Sequence, residues 1–216
     1  MTDAPGPMTM NRLIHNAVRR DLGRLADALA AFPDGDAARA EGLLRAFRNL
    51  HRELTRHHIG EDTHIWPMLA GFGADSGLLA AMESEHEEMS ASLAETEAGL
   101  GRLAADPSSE AARAAATQVA TLTDVVERHL AHEETDLEPV LSQHHDTPEW
   151  KAVEKKLRGG SVGDAGLFIA WLTDGMTQSD RDFLGTLIPR PVTFLLPRLL
   201  GRGYARDVAP VWTNAH

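Results

Sequence analysis

The chain has 216 residues and no cysteine. Disulfides, thiolate zinc sites, iron–sulfur clusters and cysteine nucleophiles are therefore excluded, and any metal chemistry must use nitrogen and oxygen ligands. Aromatic residues make up 5% of the chain, with a single tyrosine, Tyr204. Basic residues are in the minority. Against 32 Asp and Glu stand 21 Lys and Arg, and the net charge is −11. No compact Lys/Arg cluster offsets it, so a general nucleic-acid binder, which needs a basic surface, is excluded. The longest apolar runs, near Gly166–Leu172 and Val192–Leu196, are far too short to span a bilayer, so no membrane partner is expected. Met1 to Met10 shows no basic stretch followed by an apolar one. No secretory signal is read there, and a cytoplasmic location is the expectation.

No run of alternating β-branched residues suggests a strand. Four long segments carry helical periodicity instead. They are expected at about 9–32, 37–70, 76–104 and 108–144, broken at Pro33-Asp34-Gly35, Gly71-Phe72-Gly73 and Asp106-Pro107. Alanine and leucine fill their interiors, as good helix formers do. Short connections between long helices favour antiparallel neighbours. The expected fold class is all-α, an antiparallel up-down four-helix bundle over residues 1–147. Beyond Thr147-Pro148 the character changes, with breaks at Gly159-Gly160 and prolines at 189, 191, 197 and 210. Residues 148–216 are read as a C-terminal extension of short helices packed on the bundle, because Trp150, Phe168, Trp171, Phe183, Phe194, Tyr204 and Trp212 give it apolar surface to bury.

Histidine is the abundant oddity, at eleven residues. The second helix holds His57, Glu61, Asp62 and Pro67, and the fourth holds His129, Glu133, Glu134 and Pro139. Both read His-x-x-x-Glu-acidic-x-x-x-x-Pro. Each is preceded on the previous helix by a histidine, His15 or His86, at offsets of 42 and 43 residues. Residues four apart on a helix share a face, so His57 with Glu61, and His129 with Glu133, can each reach one ion. A lone His-x-x-x-Glu is commonplace on solvated helix faces. Two copies at matched offsets in four helices point to two helical hairpins facing each other. Six ligands then converge, His15, His57, Glu61, His86, His129 and Glu133. Glutamates that bridge two ions make a dinuclear site, and this donor set suits iron, with manganese as second choice.

These residues resemble the hemerythrin-like, or HHE, cation-binding family over about Asn11 to Ser142. His15 with Arg19, Asp21 and Leu22 is similar to that family's first helix, and His57, Glu61 and Pro67 to its second. Glu85-His86 with Met89 is similar to its third, and His129, Glu133, Glu134 and Pro139 to its fourth. The resemblance implies a non-heme di-iron centre with an oxygen bridge. The oxygen carriers of the family place two histidines four apart on the third helix. Here Met82 and Ser90 flank His86 at those positions, and Glu133 stands where the carriers have an aspartate one residue later. The chain thus resembles the variant with four histidines and two glutamates.

The expected function is binding of, or reaction with, dioxygen, hydrogen peroxide or nitric oxide. A catalase- or peroxidase-like activity is one form, and iron or oxygen sensing through a partner without turnover is the alternative. No catalytic residue beyond the ligands is assigned. His64 is read either as an extra or supporting ligand or as an ordinary interhelix residue. His132 is left open in the same way, and Asp136 is a candidate to orient an imidazole. His51, His58, His144, His145 and His216 are read as surface or interhelix residues, and Glu83 and Glu85 as solvated. Tyr204 is either a hydroxyl at the mouth of the site or an aromatic packing residue.

Overall fold

The structure is a computed structural model that describes residues 8–213; His216 lies outside them. Among the described residues every regular element is helical. Helix α1 spans Met10–Ala30 and α2 spans Ala37–Gly60. A π-helical turn, Glu61–Ile65, joins α2 to α3, Trp66–Gly71. Helix α4 spans Ser76–Ala105 and α5 spans Ser109–His132. A second π turn, Glu133–Leu137, leads into α6, Glu138–Ser142. The four long helices begin where side chains can satisfy free amides: Thr9, Asp36, Asp75 and Ser108 each accept from the backbone N–H three residues on.

Cross-helix partners show the antiparallel arrangement. His86 of α4 meets Asp62 beyond α2, while Glu97, further along α4, meets His51, further back. Between α1 and α5, Asn11 meets Glu133 and Arg19 meets Glu127. Helix α1 packs on α2 and α5, and α4 packs on α2 and α5. At one end the two hairpin turns are tied together: Gly35, at φ 81°, donates its N–H to the Pro107 carbonyl, and Asp34 accepts from the Ser109 N–H.

Leu25, Phe47, Leu50, Leu54, Met89, Leu93, Leu122, Val126 and Leu130 are fully buried in the main core. A second apolar cluster contains Ile65, Trp66, Leu69, Met82 and Leu137. Each buried side chain of this size contributes about 1.5–3 kcal/mol relative to exposure. Along α2, α4 and α5 the histidines and glutamates singled out above fall between residues of the two clusters. They form a polar layer between two dry ones.

The C-terminal part contains α7 (Pro148–Leu157), α8 (Val162–Thr173), α9 (Gln178–Leu187), α10 (Arg190–Leu200), α11 (Arg202–Asp207) and α12 (Ala209–Thr213). Helix α8 reaches α1 through Trp171, which is fully buried and donates its indole N–H to Asp21 Oδ2 at 2.8 Å. Tyr204 donates to Asp174 Oδ2 at 2.8 Å, and Arg24 of α1 meets the same oxygen at 3.0 Å.

Candidate metal centre

The polar layer is built by the repeat. In each copy a proline stands six residues after the glutamate. Proline has no N–H, and its ring crowds the carbonyl four residues back. The helix answers by widening: the N–H of Trp66 bonds to the Glu61 carbonyl and that of Glu138 to the Glu133 carbonyl, both five residues back. Each π turn therefore begins at the glutamate of its motif, a placement common at functional sites.

Glu61 and Glu133 are both 2% exposed. Glu61 Oε1 lies 3.3 Å from His57 Nε2, and its Oε2 lies 3.6 Å from His86 Nε2. Glu133 Oε2 lies 3.2 Å from His15 Nε2 and 3.8 Å from His129 Nε2. Each carboxylate thus reaches one imidazole of its own hairpin and one of the other. All six residues expected from the sequence meet here.

His58 joins them. It was expected at the surface or between helices, but it is buried, and its ring stacks on His86 with centroids 4.1 Å apart. Ligand atoms of His58, His86 and His129 lie within 4.8 Å of one another, and so do those of His15, His57 and Glu133. The layer is asymmetric, with three imidazoles in one group and two with a carboxylate in the other. The signal that could have found His58 is its place next to His57, 100° around a helix whose buried stripe is about that wide.

Nε2 of all five histidines, with Oε2 of Glu61 and of Glu133, is buried and has no hydrogen-bond partner among the described residues. Apart from the 3.2 Å approach of His15 Nε2 to Glu133 Oε2, nothing offsets the burial of these seven nitrogen and oxygen atoms, which is costly in a protein that left them so. Soft thiolates are absent, and imidazole with carboxylate is a donor set for iron, manganese or zinc. The residues of both groups fit a metal cation.

Three of the opposite ring nitrogens are held. His15 Nδ1 donates to Glu134 at 2.8 Å, His86 Nδ1 to Asp62 at 2.7 Å and His129 Nδ1 to Glu85 at 2.9 Å. These carboxylates fix the tautomer that leaves Nε2 free for a metal. The acidic residue after each motif glutamate, Asp62 or Glu134, braces the lone histidine of the other hairpin. Glu85, expected to be solvated, instead holds His129 and His132 together, with Oε1 2.8 Å from His132 Nδ1. Asp136 meets His132 at 3.4 Å and does not reach the layer itself. His64 belongs to neither ligand group. Tyr204 is buried on Asp174, in the contact between α11 and the α8–α9 turn, and is a packing residue and not the mouth of the site.

The charges follow from this crowding. Burial would lower the His15 pKa, but Glu133 beside it, with Glu134, outweighs burial and raises it to about 9. Burial, reinforced by His15, pushes His57 down to about 3. His58 is held well below its usual value by burial and by His86. Burial and the nearby Glu133 raise Glu61, whereas His15 overcomes burial at Glu133 and holds it ionised. Without a cation His15 and Glu133 form an imidazolium–carboxylate pair, while His57, His58 and Glu61 are pushed toward their neutral forms.

The hemerythrin HHE cation-binding domain model matches residues 10–141. The chain belongs to this family. The match runs from the first residue of α1 to the last turn of α6 and so contains every residue of the polar layer. This hemerythrin-like chain is therefore a metal-binding helical bundle. Comparison with curated proteins and with solved structures gives no match.

Proposed function

We propose that the polar layer would hold two iron ions, one on His58, His86 and His129 and the other on His15, His57 and Glu133, with Glu61, which reaches a histidine of each group, as a further carboxylate donor. The observation that carries this reading is the convergence of seven buried, unpartnered nitrogen and oxygen atoms from four helices on one layer. Iron bound there would supply one- and two-electron exchange with dioxygen, hydrogen peroxide or nitric oxide.

The protein's own part is to bind, orient and dry. Glu134, Asp62 and Glu85 hold three imidazoles in the ligating tautomer. The two apolar clusters keep bulk water from both sides of the layer. His15 carries a proton on Nδ1 in a hydrogen bond to Glu134, which in turn is held by Arg19 at 2.8 Å.

The test is reconstitution with ferrous iron under nitrogen, followed by stopped-flow absorbance on mixing with peroxide, dioxygen or nitric oxide. Spectral change with each reagent and oxygen evolution from peroxide support the reading. Iron uptake with an inert spectrum would leave a metal-binding protein without this chemistry.

A further inference from the structure

Helix α10 has no buried residue. Its inner side rests on α8, where Gly166 and Gly201 allow close approach: a Cβ at Gly166 would strike Leu200, and one at Gly201 would strike Ala170. Its outer side is apolar and uncovered. Val192 is 42%, Leu195 48% and Leu199 59% exposed, at the i, i+3, i+7 spacing of one helix face, with Phe194 56% exposed beside them. A continuous apolar patch of this kind on a small protein marks a contact surface.

The charge around the patch is opposite to that of the chain. From Ile188 to Arg206 there are four arginines, at 190, 198, 202 and 206, and no acidic residue, within a protein of net charge −11. Arg190 and Arg206 have acidic neighbours, Asp182 and Asp207. Arg198 and Arg202 have none among the described residues. The Arg198 guanidinium lies over the Phe194 ring at 3.6 Å, and Arg202 donates to the Arg198 carbonyl. Both stay exposed at the C-terminal end of the apolar face.

An apolar helical face edged by unpaired arginines complements a surface that is anionic at its edge and apolar beneath. We propose that α10 docks on the surface of an anionic lipid bilayer, with Val192, Leu195 and Leu199 entering the headgroup boundary and Arg198 and Arg202 meeting lipid phosphates. Eleven residues cannot cross a bilayer, so the helix lies in its plane. A second copy of the chain fits less well. A two-fold contact would bring together two arginine-edged faces with no acid to pair them, and one short helix falls below the roughly 20–30 residues a side of a standard interface.

Flotation of the iron-loaded full chain with phosphatidylcholine vesicles, with and without phosphatidylglycerol, tests this. The chain should float with the anionic vesicles, remain behind with neutral ones, and lose binding as salt rises. Arg198→Gln should weaken partitioning about fivefold, the effect of one arginine near an anionic surface. Leu195→Glu should abolish it with helical content unchanged, since the side chain is already in solvent. Failure to float with anionic vesicles, or equal binding to both compositions, overturns the proposal. So does a wild-type dimer that ignores vesicles and that Leu195→Glu splits, which would assign the face to self-association.

Discussion

Oε2 of Glu85 lies 2.9 Å from Nδ1 of His129, so a carboxylate on α4 fixes the ring of an imidazole on α5. His129 is 1% exposed, and its other nitrogen points into the layer of unpartnered donors. Replacing Glu85 by Ala releases that ring and removes the acceptor of His132 as well. Metal affinity should fall about 10–100-fold with the helical signal intact. Competition titration against a chelator of known affinity measures it, and Glu85→Gln, which can still accept one bond, should fall between the two.

His58→Ala should lower the metal content at saturation from about two ions per chain to about one, because the three-imidazole group loses a third of its nitrogens. His64→Ala should leave the content unchanged. Elemental analysis of the three proteins after reconstitution separates these outcomes.

The difference between these two histidines marks where the sequence stops being readable. The repeat itself fixes the bundle: two copies of His-x-x-x-Glu, each with a partner histidine one helix back, can converge only if the hairpins face each other. That reasoning locates six of the seven donors. His58 breaks the repeat, since the matching position in the second copy is Leu130, and its burial depends on where His86 stacks across the interhelix space. Glu85 is hidden for the same reason. On α4 it sits among Glu83, Glu87 and Glu88, and only the placement of α5 separates it from those solvated neighbours. The π turns were present in the sequence as Pro67 and Pro139, but their effect is a matter of backbone geometry that periodicity does not register.

The metal-free protein should lose stability on acidification through His57. Its folded pKa of about 3 lies below the ordinary 6.5, so between those values the unfolded chain binds a proton that the folded chain refuses. This contribution is present in full above pH 6.5 and falls by up to about 1.4 kcal/mol per pH unit below it. His15 has the opposite sign. With a folded pKa of about 9, it stabilises fully below pH 6.5, and that part is lost as pH rises through 9. Urea unfolding of the metal-free chain and of His57→Phe at pH 7 and pH 5 isolates the first effect. The wild type should lose more than the variant over that interval.

Trp171→Phe should destabilise the fold without touching the metal. It leaves Asp21, fully buried on α1, without its indole donor, while Arg20 still holds the other oxygen at 2.8 Å. The cost of a buried acceptor losing one partner is about 1–3 kcal/mol. Thermal unfolding at fixed metal loading should show a lower midpoint, with the ion count per chain unchanged. A loss of metal in this variant would mean that the contact between α8 and α1 supports the ligand layer directly.

Metal content with an absorption spectrum after ferrous reconstitution tests most directly whether the four helices gather a dinuclear iron centre. The reconstituted chain should hold about two irons, show near-ultraviolet bands of an oxygen-bridged pair after exposure to air, and lose both in Glu61→Ala or Glu133→Ala. A chain that stays colourless and metal-free after reconstitution, or whose metal uptake is indifferent to both glutamates, would contradict it.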